Sequence, residues 1–115
     1  MSIVTRQSLD SFIRATSTFC SNLDAFSTTE KPSIRALLEE CEELAEHAPS
    51  VREAIRNTPT STKRSFGFLY SLFEMCKRNL DEIEKKPDMQ LLRNRLLTNT
   101  AQLKRALTSF STQLP

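Results

Sequence analysis

The row Leu9, Phe12, Thr16, Phe19, Leu23 and Phe26 advances in alternating steps of three and four, and Ile13 and Cys20 widen it. Only an α-helix gathers residues at that spacing onto one side, because a strand repeats every second residue. The same rhythm returns through most of the chain, which holds a single glycine in its 115 residues and shows no Asn-Gly or Asp-Gly hairpin turn. No strand pattern competes with it, and no internal repeat is present. The sequence therefore specifies an all-α protein built from amphipathic helices.

The first helix is expected from about Leu9 to Phe26 with Ser8 as its cap. After "STTEKP", Pro32 suits the first turn of a second helix, which carries Ile34, Leu37, Leu38, Cys41, Leu44, Ala45 and Ala48 on one face. Pro49 is expected to end it, since a proline ring clashes with the carbonyl four residues back. "SVRE" then reads as a capping box opening a short helix to about Asn57, with Val51, Ala54 and Ile55 inward. Beyond "TPTSTK", Ser61 or Thr62 would cap a long helix to about Lys85. Its stripe is Phe66, Leu69, Phe73, Cys76, Leu80 and Ile83, and Glu82 and Lys86 form an outer i,i+4 pair. "KKPD" is a tight connector with Asp88 as the next cap, and the last helix carries Met89, Leu92, Leu96, Leu103, Leu107, Phe110 and Leu114. These segments assemble into one domain over residues 1–115. It is an up-down four-helix bundle of four long columns, one of them broken near Pro49, with a short extra helix.

Sixteen basic against 14 acidic residues leave a net charge of +2, too balanced to indicate nucleic acid or an anionic membrane. The basic residues Arg93, Arg95, Lys104 and Arg105 of the last helix scatter round its polar side, with no stacking aromatics among them. Nucleic acid is accordingly not the expected partner. Cys20, Cys41 and Cys76 fall on apolar faces and cannot close into a disulfide framework, which fits a reducing compartment such as the cytoplasm. No apolar run is long enough to span a bilayer. Charges interrupt the N-terminal segment where a signal peptide would need its apolar centre.

Catalytic and metal chemistries find few residues to use. "EECEELAEH" concentrates Glu39, Glu40, Glu42, Glu43 and Glu46, yet a carboxylate-bridged di-metal bundle needs Glu-x-x-His pairs on two helices. This chain has one histidine, His47, four residues after Glu43, and the stretch reads as a solvated helix face. The "HAPSV" context, with proline two residues on, departs from the lysine-glycine step that follows the histidine of phosphotransfer bundles. His47 reads instead as a helix-end histidine near the negative pole of the dipole. Cys41 lies six residues from that imidazole, about 9 Å along a helix, too far for direct proton transfer. With no glycine-rich phosphate loop either, no enzymatic activity, cofactor or metal is expected.

The residues that remain to be explained lie in "KRSFGFLYSLFEMCKRNL". Beside the core stripe, Phe68, Leu72 and Met75 make a second apolar row on the same helix, rimmed by Lys63 and Arg64; either the short third helix or the N-terminal segment covers this row as core, or part of it faces a partner. Gly67, inside this helix, either suggests close approach by another backbone or lies in the frayed first turn, where its cost is small. An apolar centre with a basic rim suits an amphipathic partner helix bearing acidic residues, and a homo-oligomer is the other occupant of the same patch. The expected role is a non-catalytic protein–protein interaction module: an adaptor, an assembly subunit or a regulatory binding domain. A helix-binding chaperone or a secreted microbial effector is the alternative class, which the Ser/Thr-rich termini permit.

Overall fold

A computed structural model describes residues 3–114, with side chains from residue 5 onward. Four helices follow one another: α1 (Ile3–Thr29), α2 (Ile34–Ala54), α3 (Thr60–Lys85) and α4 (Gln90–Gln113). Helix α1 packs on α2 and α4, and α3 packs on the same two, so α2 and α4 stand at opposite corners of the bundle. Every neighbouring pair is antiparallel. Asn22 meets Glu40 across α1 and α2, Arg35 meets Glu84 across α2 and α3, and Asn79 meets Asn99 across α3 and α4. The bundle measures 46 × 22 × 19 Å, the long dimension being set by helices of 21 to 27 residues.

The core is the set of stripes read from the sequence. Leu9, Phe12, Phe19, Leu23 and Phe26 of α1 are buried with Leu37, Leu38, Cys41 and Leu44 of α2. All six residues of the α3 stripe are buried, as are Leu92, Leu96, Leu103, Leu107 and Phe110 of α4. Edge-on ring pairs tie α1 to α3 across the bundle axis, Phe12 to Phe66 at 5.7 Å and Phe19 to Phe73 at 5.8 Å between centroids. Thr16 and Thr100 reach the core without an orphaned hydroxyl, because each donates to the carbonyl four residues earlier, Phe12 at 2.8 Å and Leu96 at 2.7 Å. Met89 departs from the expected stripe and stays outside the core, 41% exposed.

Several helix boundaries differ from expectation, each for a local reason. Helix α1 already runs from Ile3, so Ser8 lies within it and caps nothing; no proline or glycine interrupts the segment, and Arg6 pairs with Asp10 one turn on. Pro32 falls outside α2, which Ser33 caps by accepting from the Ala36 amide at 3.2 Å. The largest correction concerns Pro49. Helix α2 passes through it to Ala54, so there is no break, no capping box at Ser50 and no separate short helix. Pro49 sits on the exposed side, while Ala48 before it and Val51 and Ile55 beyond it keep the buried row continuous. Burial of Val51 and Ile55 holds the last turn on the core against a proline cost of about 3 kcal/mol.

The expected caps of α3 and α4 are also absent. Pro59 and Met89 occupy the cap positions without a side-chain bond, Thr62 is drawn into the core, and Asp88 lies one residue early. The remaining clamp is electrostatic. Arg93 joins three segments at one end of the bundle: it pairs with Glu30, donates to the Pro87 carbonyl at 3.0 Å, and lies over the Phe26 ring at 5.6 Å. Glu30 itself takes a left-handed conformation, φ 62°, and its amide closes α1 by donating to the Phe26 carbonyl.

Candidate functional site

Two sides of the molecule carry groups that the fold does not consume. The first lies between α3 and α4. Phe68 is 63% exposed and Met75 is 40% exposed, whereas Leu72, four residues past Phe68, is 4% exposed and belongs to the core. The sequence row is therefore split. At 100° per residue Leu72 falls about 40° nearer the core stripe than Phe68, and Met75 about 20° further from it. Lys63 and Arg64 are exposed beside Phe68 as expected. Gly67 contradicts the expectation of close approach, since nothing lies within 4 Å of where its Cβ would stand, and no backbone of this chain approaches it.

The fold adds residues from α4 that the sequence did not connect with this row. A cleft of about 370 Å³ at one end of the α3–α4 groove is lined by Ser65 and Phe68 with Gln102, Arg105, Ala106 and Ser109. A second, of about 410 Å³, lies at the other end among Glu82, Lys85, Lys86, Leu91, Leu92 and Arg95. Leu91 is 56% exposed there. Between the two, Asn79 donates to Asn99 at 2.7 Å and Asn99 donates to Gln102 at 2.9 Å, which fixes the α3–α4 register with a buried polar pair. The groove walls carry Lys85, Lys86, Arg95 and Arg105 against Glu82 alone. Glu82 and Lys86 do not form the ion pair expected of them, and none of these four cations enters an ion pair among the described residues. The other two cations of α4 turn the opposite way, Arg93 to Glu30 and Lys104 to Asp24 of α1. One sequence signal did point to this wall: α4 contains no carboxylate at all.

The second side is a groove of about 330 Å³ between α1 and α2, lined by Ser11, Arg14, Ala15, Thr18, Glu40, Glu43, Leu44 and His47. Because α2 continues past Pro49, His47 is an interior residue of that helix and not a helix-end one. Glu40 is not simply solvated as its neighbours are. One of its oxygens accepts from the Asn22 amide at 2.6 Å, and the other is buried with no partner. Burial raises its carboxyl above the ordinary range, the Asn22 bond opposes that rise, and Glu43 adds to it. Among the described residues no group of three or more His, Cys, Asp or Glu side chains is arranged to hold a metal ion. None of the helices is long and apolar enough to cross a membrane.

The three thiols are buried on three different helices, Cys20 on α1, Cys41 on α2 and Cys76 on α3. Burial is the main cause that pushes Cys20 up to about 11 and Cys41 and Cys76 up to about 12, so none is a thiolate near neutral pH. Comparison with protein-family models, with curated proteins and with solved structures gives no match for this chain.

Proposed function

We propose that the protein is a non-catalytic interaction module whose α3–α4 face docks an amphipathic helix of another protein. The observation that carries this reading is the exposure of Phe68 and Leu91 in two clefts between α3 and α4 whose walls hold four unpaired cations and one carboxylate, with Met75 exposed on α3 between them. Large apolar side chains exposed singly are ordinary, but three along one side of the α3–α4 pair leave surface that a partner would remove from water. The charge of the walls bears on which partner. A second copy meeting this face through a two-fold axis would bring Arg95, Arg105, Lys85 and Lys86 against their own equivalents, a like-charge arrangement that costs affinity. An acidic amphipathic segment meets no such opposition.

Native co-purification of the wild-type protein beside Phe68→Asp and Met75→Asp tests the reading. Both side chains are exposed, so each variant should keep its helicity and melting temperature while losing the partner. Leu72→Asp is the contrast: it would bury an unpaired carboxylate and unfold the domain. A partner held equally by the wild type and both surface variants, or the recovery of none, overturns the assignment.

A further inference from the structure

The two clefts stand at opposite ends of one groove, and that separation fixes the shape of what fits it. The first is marked on α3 by Ser65 and Phe68, the second by Glu82, Lys85 and Lys86. From Phe68 to Lys85 is 17 residues of continuous helix, about 26 Å of rise. Met75 stands between them, about 10 Å from Phe68 along the axis. A partner helix lying in the groove comes back to the same face after five turns, about 18 residues, which is about 27 Å. Two anchors about 18 residues apart on a partner helix therefore share one face and span the interval from Phe68 to Lys85.

We infer that the occupant of the α3–α4 groove is a single acidic helix of five turns or more, seated by two large apolar anchors about 18 residues apart, one in each cleft. This rests on the docking role proposed above and adds the length, register and charge of the partner. The acidic character follows from the walls. Arg105 flanks the first cleft and Lys85, Lys86 and Arg95 flank the second, so carboxylates beside each anchor find a cation within side-chain reach. The centre is different: Asn79 and Asn99 are buried there and bonded to each other, and a partner needs only a small or apolar contact with Met75. A bilayer surface fits less well, because the apolar residues line a groove instead of crowning a ridge, and Glu82 would face the lipid charge. Single-stranded nucleic acid would want a run of stacking aromatics, and Phe68 is alone on this face.

The probes are synthetic glutamate-rich helical peptides of equal length and composition, titrated against the full chain by fluorescence anisotropy at low salt. One carries leucine anchors about 18 residues apart, the other about 11 apart, spacings that both keep the anchors on one helix face. The long-spaced peptide should bind at least about tenfold more tightly, and Phe68→Asp or Leu91→Asp should each weaken it by about tenfold while melting stays unchanged. Binding should fall as salt is raised to about 0.3 M. Equal affinity for the two peptides, both lost in Phe68→Asp, would overturn the two-anchor geometry and leave the docking role standing. No saturable binding of either peptide, or binding untouched by both substitutions, would overturn the inference together with the role. Stronger retention on phosphatidylserine vesicles or on a single-stranded oligonucleotide than on the long-spaced peptide would replace it with a membrane or nucleic-acid surface.

Discussion

Gly67 is the one glycine of the chain, and it sits within α3 facing open space. Nothing inside the molecule requires it, so Gly67→Ala should stabilise the protein by about 1 kcal/mol, the ordinary helix-propensity difference. A higher midpoint in urea unfolding would show that gain, and a lower one would mean that the position is constrained in the free protein after all. The cysteines make a second residue-scale statement, about pH. Their thiols rise from the ordinary value of 9.0 to about 11 or 12 on folding, so the folded chain holds its protons more tightly than the unfolded one. Stability from this source is fully present below pH 9 and is lost as pH climbs toward 11 or 12, because the unfolded thiols ionise first. Unfolding curves at pH 8 and pH 10 should therefore differ less in a Cys41→Ala/Cys76→Ala variant than in the wild type, and an equal alkaline loss in both would contradict the account.

At the scale of the element, Pro49 gives the sharpest case. A proline within α2 leaves the Ala45 carbonyl without its usual partner, and the helix survives because Val51 and Ile55 are buried beyond it. Pro49→Ala should restore that bond and raise stability by about 1 to 3 kcal/mol, the upper figure reduced by the freedom the unfolded chain regains. A thermal melt reads it directly, and a fall in melting temperature would mean that the bend at Pro49 fits the core better than a straight helix does. The stripes themselves were legible in the sequence because a helix of constant pitch turns spacing into a face, which is why Phe66 to Ile83 and Leu92 to Phe110 are where the rhythm put them. Boundaries were less so. A proline or a capping residue states a local preference, and at Pro49 and Thr62 the side chains that the core could bury decided the outcome. The candidate groove was half legible for the same reason. Spacing placed Phe68 and Met75 off the core stripe, but it cannot say which helix lies alongside, so Leu91, Arg95 and Arg105 became part of the site only once α4 was packed on α3.

Across the whole molecule, charge is sorted by corner. Helix α2 carries six glutamates, Glu39, Glu40, Glu42, Glu43, Glu46 and Glu53, against Arg35 and Arg52, while α4 carries four cations and no acid. Those two helices stand diagonally in the bundle, so their charges are kept apart, and a chain of formal net charge +2 has an acidic edge along α2 and a basic edge where Arg95 and Arg105 of α4 adjoin Lys85 and Lys86. An ion-exchange column does not sense net charge alone; it binds whichever edge suits it. The protein should be retained at pH 7 and low ionic strength on both a sulfonate resin and a quaternary-amine resin, two matrices that ordinarily sort proteins into opposite fractions. Glu42→Lys/Glu46→Lys should abolish retention on the amine resin and lengthen it on the sulfonate, and elution in the void volume of either column by the wild type would show that the two edges screen each other after all.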